Sequence, residues 1–429
     1  MLNKNQISEN MDKFMKTLFP ICRSITGKGV KQTLELINEL IPLEIKYTPT
    51  GTKVFDWIIP EEWNINDAYV KNSKGEKIID FSKSNLHLVS YSIPIKTKLS
   101  LNELKEHLFT IKEQPDVIPY VTSYYDKNWG FCLPYNQYIQ LDDDGLYEVF
   151  IDSEFSNGNL IYGEFLIPGR LKEEVLLTCY VCHPSMCNDN LSGIVLLTFL
   201  ASHLKKFPLK YSYRFLFIPE TIGSITWISK NEQNLSNIKF GLVSTCLADS
   251  GNMTYKKTRS GDNEIDKITE YVLSSQAKDF KIMDFSPLGS DERQFCSPGI
   301  DLPIGSLMRT PYLSFPEYHT SNDNLDFIKI ENLFDSLLNY LEVIFIIENN
   351  EIFKNLNPKC EPNLGIRGLY PSFGAGNKKT ELIKAFSWVL NFSDGKHSLL
   401  DIAIKSKIDF KLIKKASEIL LEKNLLILD

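Results

Sequence analysis

From residue 171 to 350 the sequence alternates between short apolar runs of strand length and longer runs of helix length. The pattern predicts strands at 174–181, 211–218, 240–247 and 304–308. It predicts helices at 191–206, from 222, and at 264–274, 290–295 and 330–348. Strands separated by helices cannot pair as hairpins; they lie largely parallel and need helices on both faces of the sheet. The expected class is α/β with a mostly parallel sheet. Ligands of such sheets sit beyond the carboxyl ends of the strands, so polar residues there are the candidates for function.

The flanks read differently. Residues 1–51 carry two helical periodicities, Ser8 to Leu18 and Val30 to Ile41. From 52 to 165, stretches such as VFDWII, LHLVSYSIPI, YEVFID and NLIYGEFLI alternate aromatic and β-branched residues between turn clusters, with one helical piece at 101–108. This predicts an inserted β-rich domain serving as a lid or a dimer surface. After residue 365, helices at 378–391, 399–404 and 409–422 and a strand at 425–428 predict a winged helix, Asp409 capping its last helix. The expected domains are 1–51 with 166–355, then 52–165, then 365–429.

A net charge of −7 over 429 residues excludes nucleic-acid binding by bulk charge. The segment 365–429 has eleven Lys/Arg against seven Asp/Glu, a net of +4, leaving −11 for the rest. Lys411, Lys414 and Lys415 lie on one helix without an arginine, so this module is expected to pack on its own chain or a second copy, not on DNA. The eight cysteines follow no framework spacing, which suits a reduced, cytoplasmic protein. MLNKNQISENMDKF has no apolar leader core, and the run Val343–Ile347 is too short to span a membrane.

The richest strand end is Thr178–Gly193, TCYVCHPSMCNDNLSG, which offers His183 and Asp189 between a strand and a helix. Glu220 follows the next predicted strand, Asp249 the third, and His319 lies in FPEYHTSND after the fourth. Taken singly, each has an ordinary explanation as a turn, a helix cap or a solvated loop residue. Taken together, two imidazoles and three carboxylates on one sheet edge suit a hydrolytic zinc centre of one or two ions. Cys182 and Cys187 flank His183, but the second cysteine pair usual in thiolate zinc sites is missing.

The order His, Asp-Asn-x-Ser-Gly, Glu, Asp, Ser-Asp, Tyr-His-Thr, Asp resembles the co-catalytic zinc aminopeptidases, the group that includes glutamate carboxypeptidase and glutaminyl cyclase. CRSITGKG, VFDWIIPEEWNI, NLHLVSYSIP, CHPSMCNDNLSG, PETIG and YHTSNDNLDFI further resemble a bacterial aminopeptidase-like family with an intruding β domain and a C-terminal winged helix. The resemblance implies that His183 and Asp249 hold one metal, that Asp189 bridges to a second held by His319, and that Glu220 is the general base. Asp291, Arg309 and Tyr318 are candidates for substrate contact. Two positions depart from the pattern: Thr221 stands where a ligating glutamate is usual, and Ser185 where an aspartate orients the first histidine. The implied function is a zinc-dependent hydrolase of a peptide or other small amide. The alternatives are a catalytically weak binding protein of the same fold and a DNA-binding regulator. A small peptide or amide and a second copy of the chain are the expected partners.

Overall fold

The computed structural model describes residues 3–143, 145–369 and 377–429. The chain forms two compact units, one of Met1–Asp266 with Asp279–Leu338, the other of Lys267–Lys278 with Asn339–Asp429.

In the first unit α1 (Lys4–Leu18) and α2 (Lys28–Asn38) precede β1 (Glu44–Pro49). α1 buries Met11, Phe14, Met15 and Leu18, the i, i+3, i+4, i+7 stripe of an amphipathic helix. The hairpin of β2 (Lys53–Val54) and β3 (Trp57–Ile58) follows. Next come β4 (Glu62–Lys71), β5 (Lys77–Asp80), β6 (Ile95–Leu99), α3 (Leu101–Lys105), β7 (Leu108–Phe109), β8 (Phe131–Cys132), α4 (Tyr135–Tyr138) and β9 (Tyr147–Ser156). Four of these strands make an antiparallel sheet in the order β5-β4-β9-β6. β9 buries Tyr147, Val149, Ile151 and Ser153, the period of two that one covered face requires.

β10 (Asn159–Ile167) leaves that sheet for a larger one. Its partners alternate with helices: β11 (Glu174–Tyr180), α5 (Ser192–Leu204), β12 (Ser212–Ile218), α6 (Ile222–Asn231), β13 (Ile238–Ser244), β14 (Met253–Lys256), α7 (Glu264–Ser274), β15 (Phe280–Met283), α8 (Glu292–Phe295), β16 (Ile304–Met308) and α9 (Ile330–Asn349). The sheet order is β1-β10-β12-β11-β13-β16-β14-β15. Its centre, β12-β11-β13-β16, is parallel, as the alternation predicts; β1, β10 and β14 join antiparallel, so the whole sheet is mixed. Every residue of β11 is buried, and α5 is buried almost all round. A helix apolar on all sides is stable only when covered on both faces. α1 supplies part of that cover, with Phe14 edge-on to Phe199 at 6.3 Å.

The β-rich stretch does not stand apart as a unit. Trp63, Tyr91 and Val149 share one apolar core with Leu176, Ile218 and Trp227. The second unit contains β17 (Ile352–Asn355), α10 (Asn377–Phe392), β18 (Asp394–Ser398), α11 (Leu399–Ser406), α12 (Phe410–Glu422) and β19 (Leu426–Leu428), its sheet ordered β18-β17-β19. Asp409 caps α12 through the Lys411 amide, and Ser398 with Asp401 forms a capping box on α11. Residues 370–376 of the expected 365–429 domain lie outside the described residues. Among the described residues no helix is long and apolar enough to cross a membrane.

Candidate metal centre

At the carboxyl end of β11 the chain turns through His183 and then through the irregular segment Cys187–Leu191 before α5. His183, Asp189 and His319 each offer a ligand atom there, all within 4.8 Å of one another. His319 Nε2 lies 2.9 Å from Asp189 Oδ2, and His183 Nε2 lies 3.9 Å from the same oxygen. Donors around one tetrahedral zinc, at bonds of about 2.0 Å, stand roughly 3.3 Å apart, and the two distances bracket that value. His319 Nε2 and Asp189 Oδ2 are buried, and neither has a hydrogen-bond partner of acceptable geometry despite their closeness. Two buried polar atoms with no partner outside the cluster are what a cation site presents before the cation is counted. Burial brings His183 down to about 4, so at neutral pH its imidazole is uncharged and has a lone pair to give. Burial pushes the Asp189 carboxyl up, but His183, His319 and Tyr180 outweigh this and hold it below its ordinary value, as an anion.

Distant segments position these three groups. Asp323 accepts the amides of Cys187 (3.1 Å), Asn188 (2.6 Å) and Asp189 (2.8 Å), fixing the irregular turn from below. Arg23, itself buried, donates through Nε to the His183 carbonyl at 2.8 Å and through Nη1 to Leu18 at 2.7 Å. The Tyr180 hydroxyl donates to Asp189 Oδ1 and lies 2.7 Å from Thr245 Oγ1 just past β13. His319 is pinned by the β-rich stretch: the Tyr120 amide donates to its carbonyl at 2.8 Å, and Pro119 bridges to Thr320. Tyr318 stacks on the His319 ring at 4.0 Å.

Glu220, just beyond β12, brings Oε2 to 3.9 Å from His183 Nε2 and accepts from Ser290 Oγ at 2.9 Å. Burial, then the charges of Asp291 and Asp189, hold its carboxyl well above the usual carboxylate range, although 27% of the side chain still faces the cleft. Asp291 receives the Thr221 amide (2.7 Å) and the Ser224 hydroxyl (2.8 Å) on Oδ1, while Oδ2 is buried without a partner; burial raises this carboxyl to about 6. The cleft above holds about 290 Å³ and is lined by Tyr120, Thr122, Tyr124 and Tyr125 from the β-rich stretch opposite His183, Glu220 and His319. The stretch expected as a lid or dimer surface thus builds one wall of the site.

Two expected site residues are elsewhere. Asp249 is not brought to the cluster: its oxygens accept from Asn188 Nδ2 (2.9 Å), Thr310 Oγ1 (2.6 Å) and the Gly251 amide (2.6 Å). These partners hold its carboxylate; Thr245, just past the end of β13 at Ser244, meets the Tyr180 hydroxyl and not the cluster. Arg309, a candidate for substrate contact, is buried and bonds the carbonyls of Asn332 and Gly251, Ser336 and Asp335. Thr221 turns its hydroxyl to Arg293, and Ser185 hydrogen-bonds Phe19 and Asn85; neither reaches the cluster. Cys182 and Cys187 lie outside the group as well. Sequence reasoning missed Tyr120, Tyr180, Arg23 and the exact partners of Asp323. Arg23 lies in CRSITGKG, Tyr180 and the partners of Asp323 in TCYVCHPSMCNDNLSG, and Asp323 in YHTSNDNLDFI, whereas Tyr120 lies in none of the motifs.

The profile of the family described as "Domain of unknown function (DUF4910)" matches residues 12–350, and that of a winged helix-turn-helix matches 351–427. The chain belongs to the DUF4910 family. It is 56% identical over 424 residues to a Clostridium acetobutylicum protein, covering 99% of this chain and 97% of that one. That relative bears the provisional name of a polysaccharide biosynthesis protein with an aminopeptidase-like domain. A crystal structure from the same organism, provisionally described as a peptidase, superposes with a TM-score of 0.94 at 55% identity over 100% of this chain and 98% of that one. The zinc aminopeptidase BSAP of Bacillus subtilis aligns at a TM-score of 0.59 and 13% identity over 80% of this chain and 94% of its own. This DUF4910 chain therefore has the fold of the zinc aminopeptidases, extended by a winged helix.

Proposed function

We propose that this DUF4910 protein is a hydrolase of peptides or other small amides that works with one divalent metal, zinc by preference. The observation that carries the reading is the buried, unpartnered pair Asp189 Oδ2 and His319 Nε2 beside the neutral imidazole of His183. These three residues would hold the ion. When bound, it supplies a Lewis-acidic charge that polarises a carbonyl and makes water a better nucleophile. Glu220, which lines the cleft and lies 3.9 Å from His183 Nε2, accepts the proton of the attacking water and passes it to the leaving amine. Tyr120 and Tyr124, which burial keeps protonated, pair at 2.7 Å on the opposite wall; one donates to the other, and the remaining O–H would donate to the oxygen that gains charge. Asp249, outside the cluster, orients Asn188 rather than the ion. The test is elemental analysis of the purified protein combined with a screen of aminoacyl amides and short peptides. We expect about one zinc per chain, the number a three-ligand catalytic site takes, and cleavage that a chelator abolishes. Metal-free protein, or loaded protein inert on every substrate, would sink the reading.

A further inference from the structure

The landmark VFDWIIPEEWNI has no part in the metal centre, yet its first half shapes a second pocket beside it. The β2–β3 hairpin turns on Phe55 and Asp56, with Val54 buried and paired to Trp57. Two-residue hairpin turns favour Gly, Asn or Asp because the backbone must take positive φ. Here Phe55 does so, at φ 53°, and shows 45% of its surface to solvent. An aromatic ring exposed on a strained turn points to something that the ring contacts. Phe55, Trp57, Ile225, Ile228 and Ile300 line a cavity of about 420 Å³, with the carboxylates of Asp56 and Glu232 at its edge and no Lys or Arg among its lining.

This cavity neighbours the metal cleft, although the two share no lining residue. Tyr125 lines the cleft and packs edge-on to Trp57 at 5.3 Å. Thr221 also lines the cleft, and Ile225, one turn further along α6, donates its amide to the Thr221 carbonyl at 3.0 Å and lines the cavity. A substrate that seats its reacting amide at Glu220 would reach the cavity past Tyr125 or Thr221.

We propose that the cavity is a specificity subsite for a cationic side chain, of lysine or arginine type, on the substrate bound in the cleft; this rests on the reading that the cleft takes a peptide. The alkyl stem lies on Ile225, Ile228 and Ile300, and the charged head meets the Trp57 face with Asp56 and Glu232. Two carboxylates with no Lys or Arg among the described residues of the lining repel an acidic side chain. An uncharged side chain gains only the apolar wall.

The experiment is calorimetric titration of the full chain carrying Glu220→Gln, so that no turnover interferes, with Ala-Lys-Lys, Ala-Leu-Leu and Ala-Glu-Glu, and with chitotriose as a neutral sugar. We expect Ala-Lys-Lys to bind about tenfold tighter than Ala-Leu-Leu, and Ala-Glu-Glu most weakly. At about 0.5 M salt the charge preference shrinks. Asp56→Asn with Glu232→Gln abolishes the preference and leaves Ala-Leu-Leu unchanged, and Trp57→Ala weakens Ala-Lys-Lys. Equal binding of the three peptides, a preference that survives the double substitution, or chitotriose binding in place of any peptide overturns the proposal. Lysine preference without hydrolysis by the unsubstituted protein keeps the subsite and removes the hydrolase reading. Hydrolysis without lysine preference does the reverse.

Discussion

Glu220 is the residue on which the chemistry turns. Its oxygens see Ser290 and the His183 ring, and its neighbour Thr221 has no carboxylate to share the metal. Glutamine at 220 keeps the size and the Ser290 contact but removes the proton acceptor. Glu220→Gln is therefore expected to retain bound metal and to lose about a hundredfold in turnover, the scale of general-base loss. Metal analysis beside kcat checks this; a variant that sheds its metal would instead place Glu220 among the ligands.

At the scale of elements, the turn between β11 and α5 depends on Asp323, whose carboxylate receives three consecutive amides. Removing it leaves the Asn188 and Asp189 amides unmet at about 1–3 kcal/mol each, while Cys187 keeps the Asp323 carbonyl; supports of this kind typically change metal affinity by about 10–100-fold. Asp323→Ala is expected to show both effects, and Asp323→Asn, which keeps one acceptor oxygen, smaller ones; denaturant titration and zinc titration measure them separately. In the second unit, α12 was the candidate recognition helix. Lys411 pairs with Glu342 at 2.8 Å and Lys414 pairs with Glu418, which removes two of its three cations from the service of phosphates. No sequence-selective retention of duplex DNA is expected near physiological salt. A gel shift that is tight and sequence-selective near physiological salt would reverse that expectation.

On the scale of the whole molecule, a ligand that binds only the folded state stabilises it by mass action, about 2.7 kcal/mol at a hundredfold excess over Kd. Zinc is expected to raise the unfolding midpoint by several degrees, a chelator to reverse the shift, and His319→Ala to show none. Scanning calorimetry with and without metal decides it, and a midpoint indifferent to zinc in the unsubstituted protein speaks against the site. What the sequence determined by itself was the α/β class, the winged helix and the candidacy of His183, Asp189, Glu220 and His319, because strand–helix alternation and residues at strand ends are local signals. Which carboxylate reaches the centre was decided only in three dimensions. The Asp249 carboxylate is taken up instead by Asn188 and Thr310, each 61 positions away in the chain. The wall built by Tyr120 and Tyr124, and the hold of Asp323 on Asp189, join residues more than a hundred positions apart. Such contacts arise from packing the β-rich stretch and the large sheet around one core, and no window of sequence contains both partners.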